Sequence, residues 1–383
     1  MKRLRVMHVV YCMGTGGTEM ALRKLVTGLD PQRFENIICT VAPLTNVERV
    51  PGVRFVSLDR SGRPGFLVPQ LTKLFLRERP DVVHSRSWGT IEAVPAAKLA
   101  RVPRVIHSEH GRDINTMHGD PWRRRVLRRF CYAIADNVFA VSNELRQHYA
   151  RQLKISASRI EVIPNGVDAT RFRPAPSDTR LRMLLGLSDD VIVLGTVGRL
   201  DPVKDHRTLL HAAETLAQAG TPVQVVMVGE GPEAKRLQAV VNDSPWLRDR
   251  VTFAGESANP ENWLNSFDIY VLPSLSEGMS NSLLEAMSTG LPCVATRVGS
   301  NADLVEDGRS GFLVPAGDAA ALACSLAKLA ASKKLRLQFG EHARNKADAQ
   351  FSLRSMIENY TRLYAVNKKE AGTAQVVLGG VKG

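Results

Sequence analysis

The sequence contains no run of eighteen or more apolar residues, which leaves no candidate for a membrane-spanning helix. Cysteine is sparse: Cys12, Cys39, Cys131, Cys293 and Cys324 are odd in number, widely spaced, and form no CxxC pair or Cys/His cluster. Neither a disulfide framework nor a thiolate zinc site is indicated, and the thiols read as reduced. No secretory leader is expected in the opening residues either. The opening residues, MKRLRVMHVVYCMG, have a basic start and a short apolar run, but no small-residue cleavage site precedes Gly14. That run reads as a first buried strand, so the chain is expected to stay in the cytoplasm.

What is present fits a soluble globular protein of two domains: 383 residues, 44% apolar and 23% charged. The net charge of +13 is unevenly spread. Residues 1–168 carry 27 Lys and Arg against 15 Asp and Glu, whereas residues 169–383 carry 24 against 23. Five arginines crowd into Pro121–Arg129 (PWRRRVLRRF continues the run into an apolar segment). Such a basic surface beside apolar side chains suits lipid headgroups, phosphorylated acceptors or nucleic acid.

Short apolar runs alternate with helix-like segments along the first half, at Arg5–Tyr11, Asn36–Val41, Val53–Leu58, Asp81–His84, Arg104–Ser108 and Asn137–Ser142. The alternation pauses in the turn-rich stretch Glu161–Pro176 and restarts with strand-like runs at Val191–Val197, Val223–Val228, Val251–Phe253, Ile269–Leu272 and Cys293–Thr296. This is the signature of βαβ units, and hence of two parallel α/β sheets joined near residues 165–175. The expected domains are 1–168 and 169–350. A last helix at 351–367 is expected to return to the first domain, and 368–383 to form a flexible tail. Ligands of open parallel sheets sit beyond the carboxyl ends of the strands, which places the site between the sheets.

The strongest chemical signal is Glu277-Gly-Met-Ser-Asn-Ser-Leu-Leu-Glu285, read as a loop running into a helix. The helix rise separates its two carboxylates by roughly 10 Å, too far to flank one bond and suited to gripping different hydroxyl-bearing parts of a long ligand. Between them, the backbone N–H groups of Met279, Ser280 and Asn281 form a helix N-terminus, an anion site. Arg199 and Lys204 follow the first strand of the second sheet, where both cations are placed to clamp one diphosphate. Glycine loops follow other strands, at Gly14–Gly17 and Gly229–Gly231.

Gly16-Gly17-x-Glu19, Pro164-Asn-Gly-Val-Asp168, Gly198-Arg199-x4-Lys204, Gly229-x-Gly231-Pro232 and Glu277-x7-Glu285 together resemble, in order, the GT-B family 4 glycosyltransferases. The resemblance spans residues 5 to about 366, and Ser108-Glu-His-Gly-Arg-Asp113 resembles bacterial exopolysaccharide members. It implies two Rossmann-like α/β domains facing each other, the N-terminal one binding acceptor and the C-terminal one binding nucleotide-sugar. It further implies that Arg199 and Lys204 hold the donor diphosphate, Glu285 the ribose and Glu277 the transferred sugar. By the same resemblance, Gly16 and Gly17 admit the sugar phosphate, His110 projects into the cleft, and the nucleobase lies against Gly229–Pro232 and Phe253–Gly255. The implied reaction is a retaining transfer of a hexose from a UDP- or GDP-sugar to a glycan or polyprenyl-diphosphate-linked acceptor, in exopolysaccharide or cell-surface glycan synthesis. No metal and no cofactor are expected, and no Asp-x-Asp motif ends a strand. The sequence departs from the family at Gly299-Ser300-Asn-Ala-Asp303, where Gly-Gly-x-x-Glu is common.

Three other readings compete. A dinucleotide-binding dehydrogenase fails because Gly14, Gly16 and Gly17 do not give G-x-G-x-x-G and the second strand ends without a ribose-binding acid. A nucleic-acid-binding protein fails because few aromatics interleave with the arginines. The enzymatic alternative is a non-hydrolysing sugar-nucleotide epimerase, which shares the two-sheet architecture. The charge asymmetry leads to an anionic membrane surface as a partner of the first domain, at the inner membrane face, with no nucleic acid involved.

Overall fold

The computed structural model describes residues 3–14, 16–45, 49–60, 66–112, 120–175, 183, 186 and 190–365. Among these residues the chain builds two parallel sheets. The first contains β1 (Leu4–Val10), β2 (Phe34–Thr40), β3 (Arg54–Ser57), β4 (Val82–Arg86), β5 (Arg104–Glu109), β6 (Asn137–Ala140) and β7 (Glu161–Val162), in the order β3-β2-β1-β4-β5-β6-β7. Its connecting helices include α1 (Gly17–Gly28), α2 (Val68–Glu78), α3 (Ala93–Leu99), α4 (Trp122–Ile134) and α5 (Asn143–Leu153).

The second sheet contains β8 (Ile192–Val197), β9 (Val223–Val228), β10 (Val251–Gly255), β11 (Ile269–Leu272), β12 (Cys293–Thr296) and β13 (Gly311–Val314), in the order β10-β9-β8-β11-β12-β13. Its helices are α6 (His206–Gln218), α7 (Ala234–Asp243), α8 (Pro260–Leu264), α9 (Asn281–Ser288), α10 (Asn301–Leu304), α11 (Ala319–Ala330) and α12 (Lys333–Gln350). A final helix, α13 (Leu353–Ala365), follows α12 after two residues.

Burial on both faces explains the apolar runs: every residue of β9, β11 and β12 is buried. Helix starts are fixed by side-chain caps, with Ser142, Ser280, Asp318 and Ser332 each accepting a hydrogen bond from a backbone N–H three residues on. The two central strands β4 (VVHSR) and β5 (RVIHSE) are wholly buried, yet polar over their carboxyl-terminal halves. Two strands escaped the sequence pattern: β7 has only two residues inside a turn-rich stretch, and β13 begins at a glycine directly after the turn-like Glu306-Asp-Gly-Arg-Ser310. The tail expected at 368–383 lies outside the described residues.

The chain passes between the sheets twice, and the two passages pair. Val167 N donates to Phe351 O at 2.8 Å, and Leu353 N donates to Val167 O at 2.9 Å. Helix α13 then lies on the first sheet, where Met356, Tyr360, Leu363 and Tyr364 are buried with Val6, Leu25, Phe34 and Ile106. Gly166 sits at the crossing because a Cβ there would stand 2.6 Å from Leu353 Cα and 2.9 Å from Ser352 O.

Gly166→Ala is therefore expected to lower the unfolding free energy by about 1–3 kcal/mol, the usual cost of overpacking against backbone. Gly14→Ala, with nothing within 4 Å of the added carbon, is the control and leaves stability unchanged. Urea titration of the two variants checks this; equal midpoints would mean that the crossing is not tightly packed.

Candidate active site

In each sheet the strand order reverses at one point, between β1 and β4 in the first and between β8 and β11 in the second. Loops diverge there, so a crevice opens beyond the strand ends. The loops that leave these four strands carry most of the residues singled out from sequence.

On the second sheet, Lys204 Nζ lies 2.6 Å from Glu277 Oε1, and Ser274 Oγ donates to the same oxygen at 2.6 Å. Leu275 N donates to Val203 O at 2.8 Å, which stitches the β8 and β11 loops together by backbone. The Arg199 side chain remains 66% exposed, its Nε 3.6 Å from Asp201 Oδ2, and so is free to turn toward a ligand. Ser280 caps α9 and Asn281 begins it. Met279 is buried, its sulfur taking the N–H of Asn165 at 3.1 Å. Gly229, at φ +142°, is the residue whose Cβ would collide with Gly198 O, and Gly229 N donates to Gly255 O at 2.7 Å. Gly231 packs the same way against Leu200 O. The loops after β8, β9 and β10 are thus laced by backbone contacts that leave no room for side chains.

The two domains touch at this point. A Cβ on Gly278 would collide with the His110 carbonyl oxygen, so the Glu277–Gly278 and His110–Gly111 backbones are in direct contact. Gly299 supports the same loop from beneath, since its Cβ would collide with Glu277 O, and Ser300 N donates to Gly278 O at 3.2 Å. This gives the departure at Gly299-Ser300 a structural role. Asn281 Nδ2 donates to Gly17 O at 2.9 Å, bringing the Gly16–Gly17 loop onto the start of α9. Glu285, one face further along that helix, is paired with Lys24 of α1 at 2.9 Å. Lys24 had no sequence signal, because it comes from the opposite domain and belongs to no local pattern.

On the first sheet, His110 Nε2 is 2.8 Å from Ser108 Oγ, which is 2.8 Å from His84 Nε2, whose Nδ1 is 2.8 Å from the Tyr364 hydroxyl. A chain of hydrogen bonds thus links the cleft to α13. The buried Arg86 faces this chain, with His8 Nδ1 3.2 Å from its Nη2. Burial and then the Arg86 charge push the His110 imidazole down to about 3, so the ring is neutral at physiological pH. The polar carboxyl ends of β4 and β5, VVHSR and RVIHSE, were the available sequence signal for this network.

Beside His110 lies a cavity of about 790 Å³ whose lining includes Tyr11, Trp88, Glu109, Arg112, Arg124 and Tyr149. The arginine cluster is corrected here: Arg128 is not on the surface. It is 1% exposed, pairs with Glu109 at 3.0 Å and with Asp120, and stacks on Trp88 and Tyr149. Arg124 lies over Trp88, 4.9 Å from its centroid. Burial alone would raise the Glu109 carboxyl, but Arg128 and bonds from His107 and Tyr132 outweigh it and bring it down to about 2.

Comparison with known proteins agrees across the chain. The Glycosyltransferase Family 4 model matches residues 15–171, and the Glycosyl transferases group 1 model matches residues 191–332. A UDP-Gal:alpha-D-GlcNAc-diphosphoundecaprenol alpha-1,3-galactosyltransferase of Escherichia coli is 32% identical, covering 96% of this chain and 98% of the relative. An N-acetyl-alpha-D-glucosaminyl L-malate synthase of Bacillus anthracis is 26% identical, covering 78% of each. The structure of Anabaena Alr3699/HepE in complex with UDP and glucose superposes with a TM-score of 0.79 at 22% identity, covering 95% of this chain and all of that one.

Removing the Glu109 charge leaves Arg128 buried with one partner fewer, so Glu109→Gln is expected to cost about 3–5 kcal/mol. Because its carboxyl lies near 2 when folded rather than at its ordinary 4.5, its stabilisation is present above about 4.5 and is lost as pH falls toward 2. Unfolding free energies from pH 7 to 2.5 check this. Wild type and variant should converge as the pH drops, and a constant gap would remove the ion pair as the cause.

Proposed function

The chain belongs to the family 4 glycosyltransferases of GT-B fold, and from that premise we propose a metal-independent, retaining hexosyltransferase that moves a sugar from a UDP-sugar to a lipid-linked diphosphate acceptor. The observation that carries this reading is the meeting of the Lys204–Glu277 pair with the His110 loop across the cleft. UDP is favoured over GDP because structural neighbours are complexes with UDP, and the acceptor class follows the galactosyltransferase relative. The enzyme would work at the inner membrane face, in cell-surface glycan synthesis.

The geometry suits front-face transfer. The acceptor hydroxyl attacks the anomeric carbon on the side from which the diphosphate departs. The carbon–oxygen bond to UDP breaks, and a departing phosphate oxygen takes the hydroxyl proton. Arg199 and Lys204 stabilise the charge that develops on the diphosphate, the term that dominates in sites of this kind. To reach it, Lys204 shifts from Glu277, whose carboxylate is then released to the sugar hydroxyls. A neutral His110 leaves no cation beside a carbon that becomes positive in the transition state. Closing the two domains excludes water and limits hydrolysis.

Arg199→Ala and Lys204→Ala are each expected to lower kcat by on the order of a hundredfold, measured by release of UDP with a lipid-linked acceptor. Glu285→Gln should weaken binding of free UDP, whereas Glu277→Gln should spare it and impair transfer; calorimetry separates the two. Thermal shift against UDP, GDP and ADP tests the nucleotide, since the tight ligand raises the melting temperature by mass action. Turnover near wild type in both cation variants would remove the diphosphate clamp.

A further inference from the structure

Helix α4 has two different faces. Arg124, Leu127 and Arg128 point inward and line the cavity beside His110. Trp122, Val126 and Phe130 point outward and are 63%, 59% and 52% exposed. At about 100° per residue these three fall within a sector of about 80°, so they form one continuous apolar ridge along the outer face. Arg123 borders the ridge on one side, and Arg125 and Arg129 border it on the other. Arg123 lies over the Trp122 ring at 5.6 Å, and Arg129 also donates to Leu153 O at 3.2 Å.

A solvated face has no use for a tryptophan, a valine and a phenylalanine in line, whereas an interfacial helix needs an apolar ridge flanked by cations. Two copies of the chain meeting ridge to ridge would set arginines against arginines, so self-association is disfavoured by charge. We propose that the outer face of α4 docks on an anionic lipid bilayer, with Trp122, Val126 and Phe130 entering the headgroup–acyl boundary and Arg123, Arg125 and Arg129 meeting the lipid phosphates. The proposal rests on the lipid-linked acceptor reading and adds its geometry. The cavity beside His110 then lies behind α4, about one helix diameter (~10 Å) from the bilayer surface. An acceptor diphosphate reaches it without its lipid leaving the membrane.

Cosedimentation of the full chain with vesicles of phosphatidylglycerol and phosphatidylcholine, without donor or acceptor, tests this. Each exposed arginine is expected to contribute about fivefold to partitioning at low salt, so Arg123→Gln/Arg125→Gln lowers it by about 25-fold. At 1 M salt, where the screening length is about 3 Å, the arginine contribution disappears and the ridge contribution remains. Trp122→Ser/Phe130→Ser should lower partitioning at least tenfold at both salt concentrations. Because these side chains are exposed, the variant should keep the wild-type melting temperature and UDP-induced thermal shift. Failure of the wild type to sediment at low salt would overturn the proposal, as would undiminished sedimentation of the ridge variant. A wild-type dimer that the ridge variant converts to a monomer would assign the ridge to self-association and also overturn it. None of these outcomes bears on donor binding, which the UDP shift reports separately.

Discussion

The site depends on one contact between backbones, that of Gly278 with the His110 carbonyl. Two parallel sheets can place their carboxyl ends opposite one another in many ways, but only a narrow set brings the β5 loop of one onto the β11 loop of the other. Any side chain at 278 would collide with His110 O. Behind Gly278, the loop is held by Ser300 N and by the β8 loop through Leu275 N and Val203 O. The backbone that carries Glu277 is therefore held against the first domain directly, whichever way the Lys204 and Glu277 side chains turn. In a reaction where a misplacement of about 1 Å can cost a hundredfold, such stiffness matters more than the strength of any one pair.

The first domain solves a different problem, that of holding polar groups in a dry interior. His8, His84 and Arg86 are buried on strands β1 and β4, and their charge would be costly if all of them were protonated. Burial and the Arg86 charge instead keep His8 and His84 neutral, so one buried cation is served by neutral rings. The Tyr364 hydroxyl closes the network from α13. The C-terminal helix thereby becomes part of the wall behind His110, and the chain crosses between domains a second time in order to place it there.

Much of this architecture was legible because parallel strands buried on both faces are short apolar runs, and the sequence alternates them with helices from one end to the other. β7 and β13 were not legible, since one is two residues within a turn-rich stretch and the other starts at a glycine directly behind turn residues. The residues picked for chemistry lie at or beyond the ends of β1, β5, β8, β9, β10 and β11, where the fold converges, and that much could be inferred from their order after apolar runs. Partners supplied by the opposite domain could not. Lys24 stands in an ordinary amphipathic helix, and nothing local distinguishes it from Arg23. Arg128 misled for the complementary reason: five arginines in nine residues look like a surface, yet a helix of that length must turn one of them inward, and Glu109 and Asp120 receive it.

The Lys24–Glu285 pair bears on how a donor would enter. Both side chains are largely covered, at 15% and 13% exposure, and they join α1 to α9 directly across the cleft. On the proposed reading, the ribose hydroxyls need the same carboxylate, so nucleotide and Lys24 compete for it. Breaking a covered pair is costly unless the freed carboxylate is bonded again, and hydroxyls donating to it would supply that bond. What changes is the position of the freed ammonium. Lys24 lies two turns into the helix that begins at Gly17, beside the loop onto which Asn281 holds the start of α9. On the same reading, a cation released there would add to Arg199 and Lys204 around an incoming diphosphate. The pair joins the domains in this structure, and on the proposed reading it would give its negative half to the donor and its positive half to the site.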